Sequence, residues 1–370
     1  MNKSSFFSKS IAGLIFVALF WSGCNHRTGI ELGVSKHFSV DTLVSPFVRD
    51  DNTWALSIAI TNGIEERFFN YGNISGNVQI PPTAESIYEI GSITKTFTTT
   101  MLAQMVEEGK LSLDGNIVDF LPANLVEWPE DRKISFLDLA THHSGLPRIP
   151  DNLKASYAEN PGNPYAAYQE EELLDFLRQY VPEEPRKRQV SYSNLGMGLL
   201  GYLLVKIDGQ PDYESMVSRR IFEPLHMEMS FIEYDKQQLI PGHDEKGKVV
   251  SSWEMPVLPG AGAIRSDAKD MLKYVSAQMQ GKFSPGILFK PYFDWTDDRK
   301  ILLGWMSRPL GGTGFTQISH SGGTGGFRSF IGFVAEKNTG VVVLANSAHS
   351  VDEIGEALLT GLLEKPRVVH

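Results

Sequence analysis

A serine and a lysine three residues apart, Ser92 and Lys95, carry the chemistry most open to this sequence. A serine hydroxyl is a poor nucleophile until a base takes its proton. A lysine amine can be that base when desolvation or nearby cations lower its pKa. A helix starting near Ser92 sets both side chains on one face. Its N-terminus adds partial positive charge and free N–H groups where an oxyanion forms. Phe97, Met101, Leu102, Met105 and Val106 follow at helical spacing and predict an amphipathic helix, with the pair at the edge of a core. Gly91 lets the backbone turn tightly into that helix. Ser-x-x-Lys also occurs on ordinary surface helices, so the pair needs partners.

Three stretches are candidates. In Ser191-Tyr192-Ser193-Asn194 a phenol beside a lysine ammonium ionises more readily and can shuttle a proton to a leaving group. Asn194 lies on the same side in extended structure, where its amide can donate to a substrate carbonyl and hold the lysine. The bland alternative is a half-buried Tyr192 and an Asn194 helix cap. In His320-Ser321-Gly322-Gly323 the glycines at a strand end admit close approach of an acyl group. A glycine-rich hairpin with a surface histidine fits it too. In Thr141-His142-His143-Ser144-Gly145 adjacent histidines raise a metal, but neighbours in sequence rarely ligate one ion, and no Asp, Glu or His completes a site. That stretch reads as a structural loop.

The elements around these stretches alternate in type. Thr53 to Thr61 alternates as a strand, Asn62-Gly63 signals a tight hairpin, and Ile64 to Tyr71 returns. Residues 95–250 read as mostly helical, with helices over Glu170 to Tyr180, Leu195 to Ile207 and Asp212 to Phe222. Strands return over Ile301 to Met306, Phe315 to Ser319, Phe327 to Val334 and Val341 to Asn346. Ser350 with Glu353 predicts a capping box that opens a last helix. The pattern predicts an α/β fold of the α+β type. One antiparallel sheet comes from both chain ends, residues 51–94 with 251–370, and residues 95–250 form an inserted helical domain. Ser92 then starts its helix at the seam, where clefts form.

The whole chain has 370 residues, 42% of them hydrophobic and 21% charged, as in an ordinary globular protein. A net charge of −10 with no basic stripe argues against nucleic acid as a partner. Residues 1–24 read as a leader: Lys3 and Lys9, an apolar run from Ile11 to Trp21 too short to span a bilayer, then Ser22-Gly23-Cys24. Small residues before the one cysteine resemble a bacterial lipoprotein processing site, with Cys24 lipidated. Trp21 in place of the usual leucine leaves ordinary signal cleavage open. Either route predicts an exported protein, periplasmic or at the cell envelope, and the lipoprotein route gives it an N-terminal lipid anchor as its only membrane contact. Residues 25–50 read as a linker and a short helix.

Together, Ser92-x-x-Lys95, Tyr192-x-Asn194 and His320-Ser321-Gly322 resemble, in order and spacing, the penicillin-recognising serine hydrolases. The closest likeness is to class C β-lactamases and their relatives among D-alanyl-D-alanine carboxypeptidases and esterases. Tyr88 to Lys95 is nearly that family's active-site signature, with Thr94 where Ser or Ala is usual. Thr141 to Pro147 resembles its "LTHTSGLP" loop, and Pro224-Leu225-His226-Met227 its "PLGM" turn, with His226 for Gly. Leu344-Ala345-Asn346 resembles its last core strand.

The resemblance implies the serine β-lactamase/D,D-peptidase fold, a small-molecule or peptide substrate, and no metal or organic cofactor. It makes Ser92 the acylated nucleophile, with Lys95 and Tyr192 exchanging protons. Asn194 then binds the substrate amide, and the N–H groups of Ser92 and Gly323 form the oxyanion hole. His320, Ser321, Gly322 and Asn346 join the substrate-binding set. One departure bears on the substrate. Class C β-lactamases have Lys-Thr-Gly where this chain has His320-Ser321-Gly322, and a histidine is largely neutral at pH 7. The histidine form occurs in some D,D-peptidases, D-aminopeptidases and esterases of this fold. Arg328 is the expected source of replacement charge. The reading is a serine hydrolase acting on an amide or lactam. An ester, or a penicillin sensor that does not turn over, is the alternative.

Overall fold

The alternation of Leu56, Ile58 and Ile60 produces a strand, and its neighbours explain why every residue in it is buried. The computed structural model describes residues 39–48, 55–75, 79–185, 189–233 and 238–364. The expected leader, Cys24 included, lies outside them. β1 (Ala55–Thr61) pairs with β2 (Glu66–Gly72) on one edge. The register joins Thr61 to Glu66, so the connection has four residues, 62–65, where Asn-Gly suggested two. Asn62 Oδ1 accepts from Ile64 N and Glu65 N at 3.0 and 2.9 Å and holds both amides in the turn.

Six later strands complete the sheet: β3 (Phe293–Asp294), β4 (Lys300–Ile301), β5 (Met306–Leu310), β6 (Phe315–Gly323), β7 (Arg328–Val334) and β8 (Thr339–Ala345). Their order is β2-β1-β8-β7-β6-β5-β4-β3, with every neighbouring pair antiparallel. The other edge of β1 therefore lies against β8, Leu56 opposite Ala345 through Thr61 opposite Gly340. The run Ile301 to Met306, expected as one strand, is broken. Leu302 and Leu303 are both buried, which no alternating strand allows at a sheet edge, and Gly304 turns the chain at φ 71°.

Helix α1 (Thr94–Glu107) follows one 3-10 turn over Gly91–Ile93. It is not amphipathic as expected. Residues 94–103 are buried on every side, polar ones included. Threonines can sit there because their hydroxyls bond locally: Thr96 Oγ1 to Ile93 O at 2.8 Å and Thr100 Oγ1 to Thr96 O at 2.8 Å. α2 (Asn194–Asp208) crosses beside it, capped by Ser193, whose Oγ accepts from Gly196 N at 2.8 Å. The cap is thus Ser193, not Asn194. The helix expected over Asp212 to Phe222 is α-helical only across Tyr213–Val217 and widens to a π-turn over Ser218–Phe222.

α3 (Ala268–Met279) and α4 (Asp352–Leu363) cover opposite faces of the sheet. A side chain at Gly340 would strike Val275 of α3, and one at Gly332 would approach Leu359 of α4. α4 lacks the expected capping box. Ser350 Oγ accepts from Asp352 N at 3.2 Å, and Val351 holds the cap position without a side-chain bond. The "PLGM"-like turn keeps its shape, with His226 left-handed at φ 54°, at a cost of about 1–2 kcal/mol for a side chain there. All described residues fall within one unit, 33–370, so the sheet and helical regions are parts of a single body.

Candidate active site

Ser92 is held by strapping on both sides. Before it, Tyr88–Glu89 pairs with Arg265–Ser266, and Ile90 N donates to Ile264 O at 3.1 Å. On the far side lies the end of β6. Gly91 sits at φ 50°, and a Cβ there would lie 2.7 Å from Gly323 N and 2.9 Å from Gly323 O. A Cβ on Gly322 would overlap Ile90 O and the Ser329 hydroxyl. Ser329 Oγ donates to Ile90 O at 2.8 Å, fastening β7 to the same turn. We therefore expect Gly322→Ala to destabilise the fold by about 1–3 kcal/mol through overpacking, read as a lowered urea midpoint. An unchanged midpoint would mean this contact yields freely.

These glycines also aim an amide. Thr324 N donates to Phe327 O at 3.1 Å, so Thr324 bonds towards β7. Alternation turns Gly323 N the other way, to the edge that β5 leaves open beyond Ser319 opposite Met306. Ser92 N belongs to the first residues of the 3-10 turn, which have no partner inside it. Both N–H groups, of Ser92 and Gly323, are thus left without a partner in the turn or the ladder.

Lys95 is fully buried in the first turn of α1. Its Nζ lies 2.9 Å from Ser92 Oγ and donates to Ala261 O at 2.6 Å. Burial, with the Arg148 guanidinium adding like charge, holds the amine well below the usual lysine range. The carbonyl clamp comes from the 3-10 turn Pro259–Ala261.

Tyr192 is set by the Thr141–Pro147 loop. Ser191 N donates to His142 O at 2.8 Å, Ser193 N to His142 Nδ1 at 3.2 Å, and Ser193 Oγ to Pro147 O at 2.7 Å. His142 takes φ 59° to make this strap, and its ring lies 4.4 Å from that of Tyr192. Lys95 Nζ stands 4.9 Å from the Tyr192 ring centre, and the Tyr192 hydroxyl meets that of Ser92. The phenol does not ionise more readily. Burial pushes it up to about 12, against the opposing pull of the Ser92 hydroxyl and Arg148. Burial thus lowers the Lys95 pKa and raises that of Tyr192.

Asn194 donates through Nδ2 to Tyr165 Oη at 3.0 Å, and its Oδ1 has no hydrogen-bond partner among the described residues. No bond from it to Lys95 is present among them. His320 is buried on the same side of β6 as Gly322, and its Nδ1 donates to Ser321 O at 2.7 Å. Burial and the nearby Lys95 push its pKa down to about 3. We expect the His320 ring to stay neutral from pH 8 to pH 5, with constant imidazole NMR shifts; a midpoint near 6.5 would contradict its burial. Ser321 alternates to the other side of the strand.

Two expected ligands do not face the serine. Arg328 shares its side of β7 with Phe330, which packs on α4 at Gly355. Its Nη1 donates to Thr324 O and Phe327 O at 2.7 and 2.8 Å, so it braces the β6–β7 turn. Asn346 is fully buried. Its Oδ1 accepts from Ala55 N at 2.6 Å, and its Nδ2 donates to Ile74 O and Pro241 O at 3.0 and 2.8 Å. Both donors of that amide and its oxygen join backbone segments, which makes it a clamp between them.

The sequence reading missed Ala261, Tyr165 and Arg148. Ala261 acts through a backbone carbonyl, which no residue type advertises. Arg148 had a signal, a cation directly after the Ser-Gly-Leu-Pro of the strap.

This arrangement has counterparts among known proteins. Residues 40–364 match the family model described as Beta-lactamase. A β-lactamase of Pseudomonas fluorescens is 26% identical over 354 residues, covering 84% of this chain and 93% of the relative. A solved class C β-lactamase superposes with a TM-score of 0.76 at 25% identity, covering 88% of this chain and 96% of that one. A β-lactamase/D-alanine carboxypeptidase from Pseudomonas syringae gives a TM-score of 0.73 at 22% identity, covering 88% and 97%. The fold is that of the class C β-lactamases. The chain belongs to the β-lactamase family and is a serine hydrolase related to it.

Proposed function

We propose that the protein hydrolyses a small amide or lactam through an acyl-enzyme on Ser92. The observation that carries this reading is the buried Lys95 amine, 2.9 Å from the Ser92 hydroxyl and depressed in pKa. Ser92 Oγ attacks the acyl carbon while its proton passes to Lys95 Nζ. The N–H groups of Ser92 and Gly323 hold the oxyanion; one such donor is worth about 10²–10³ in rate. The C–N bond then breaks, and Tyr192, protonated at neutral pH, gives its proton to the leaving nitrogen and regains one from Lys95. Water attacks the ester left on Ser92; the Tyr192 hydroxyl takes the water proton as it passes its own to the neutral Lys95 amine, and Lys95 returns a proton to Ser92 Oγ as the acid leaves. Asn194 Oδ1 is free to accept from the substrate amide N–H.

Two substrate classes fit, a β-lactam or a peptide ending like D-Ala-D-Ala. The names carried by relatives support both: β-lactamase, and β-lactamase/D-alanine carboxypeptidase. The neutral His320 favours a second reading, an esterase or D-aminopeptidase. Intact mass after mixing with benzylpenicillin separates these. An adduct that vanishes as penicilloate accumulates supports a β-lactamase. A lasting adduct supports a D,D-peptidase or sensor, and no adduct the second reading. Export through the leader, with an anchor at Cys24, completes the proposal; an acylated N-terminus absent from Cys24→Ala is its test. The site is proposed to lie at the seam between the sheet-forming residues 51–94 and 251–370 and the helical 95–250.

A further inference from the structure

The side chains around Ser92 that can carry positive charge do not do so equally. Burial holds the Lys95 amine well below the usual lysine range, and the same loss of water pushes His142 and His320 below the ordinary imidazole value. Arg328 braces a turn on the other side of the sheet. Arg148 differs from all of these. It is exposed, its Cζ stands 5.1 Å from the Tyr192 ring centre, and no side-chain hydrogen bond or ion pair engages its guanidinium among the described residues. Its backbone is fixed where the side chain is free: Arg148 O accepts from Asn194 N and Leu195 N at 3.0 and 3.2 Å. Those bonds tie Arg148 to the segment carrying Tyr192 and Asn194.

We propose that Arg148 is the anion-recognition residue of this site, receiving a carboxylate on the acyl substrate. The inference rests on the acyl-enzyme reading above and narrows its substrate class to anionic acyl donors. The chemistry fits. A guanidinium stays charged at every working pH and presents a planar fork that matches a carboxylate. It is lightly hydrated, so an exposed and unpaired one gives up little water to a ligand. His320 cannot serve, being neutral, buried and committed to Ser321 O. The charge that a lysine on β6 would provide comes instead from the opposite wall, on the strap that sets Tyr192. Substrates should therefore bind with their anion towards the Tyr192 side of the cleft.

The test compares benzylpenicillin, which carries a carboxylate, with p-nitrophenyl acetate, which does not. Arg148 touches Tyr192, so both rates are expected to change on substitution; the ratio of the two kcat/KM values isolates the anion. Arg148→Ala should lower that ratio by about 10–100-fold, the worth of one charge-assisted pair. Arg148→Lys should recover part of it, since it restores the charge without the planar fork. In the wild type, raising salt from roughly 0.05 to 0.5 M should depress the penicillin rate more than the ester rate, and Arg148→Ala should lose this difference. A ratio unchanged within about twofold, or a wild type with no differential salt effect, overturns the proposal; the salt measurement needs no variant to fold. If ester turnover disappears in Ser92→Ala while the ratio ignores Arg148, only the Arg148 inference falls. If neither probe acylates the wild type, the acyl-enzyme reading falls and takes this one with it.

Discussion

Ser92→Ala removes covalent labelling by a fluorophosphonate or penicillin probe and lowers turnover by about 10⁵–10⁶-fold, the loss expected when a nucleophile is deleted from a catalytic unit. The protein should remain folded, because Ser92 is half-buried and among the described residues its hydroxyl meets Lys95 and Tyr192 alone. Its melting temperature should match the wild type. A variant that still takes up the probe would refute Ser92 as the nucleophile. Full folding with no labelling would confirm that the hydroxyl serves chemistry and not packing.

Lys95→Ala lowers acylation by about 10²–10⁴-fold, the usual worth of a positioned general base. Lys95→Arg should not rescue it, since a guanidinium keeps its proton. The pH dependence carries the sharper information. The depressed Lys95 pKa means that the amine is neutral, and able to accept a proton, at pH values where an exposed lysine is still charged. Wild-type acylation should rise with pH through that lowered pKa and then level, and the rise should vanish in Lys95→Ala. Stability follows the same group. Between the lowered folded value and about 10.4 the unfolded chain binds more protons at this position, so its contribution grows as pH rises. Tyr192 acts oppositely above pH 10: raised to about 12 in the fold, it makes the unfolded chain lose its proton first, so stability falls there. A rate with no acid limb in the wild type would mean another base acts.

The parts of this site that were legible in the sequence are those written in side-chain type at fixed spacing. Ser92, Lys95 and Tyr192 meet because each stands at the start or flank of an element whose periodicity is plain. The strands β1, β7 and β8 were legible for a similar reason, since each carries an apolar run bounded by turn residues. Residues whose role is set by direction were less legible. Arg328 and Gly323 are opposite each other in the ladder, yet the guanidinium leaves a face of the sheet while the Gly323 amide lies in its plane, aimed at the neighbouring edge. Asn346 looks like a ligand by type, and only its three backbone partners reveal a clamp. The shift of Tyr192 was read from the wrong neighbour. An ammonium would lower it, but burial, which lowers the Lys95 pKa, raises that of the phenol and is the larger effect.

The pairing of β1 with β8 has a consequence in time. A chain emerging from its N-terminus exposes Ser92 and Lys95 well before Gly323, Ser329 and the β8 residues that lock β1 in register. At synthesis rates of about 5–20 residues per second, the interval is roughly ten to fifty seconds. Throughout it the nucleophile has neither its second oxyanion donor nor the wall that seats Ile90. The site is therefore complete only once β6 to β8 have joined β1, so activity is expected to appear after the last strand closes the sheet.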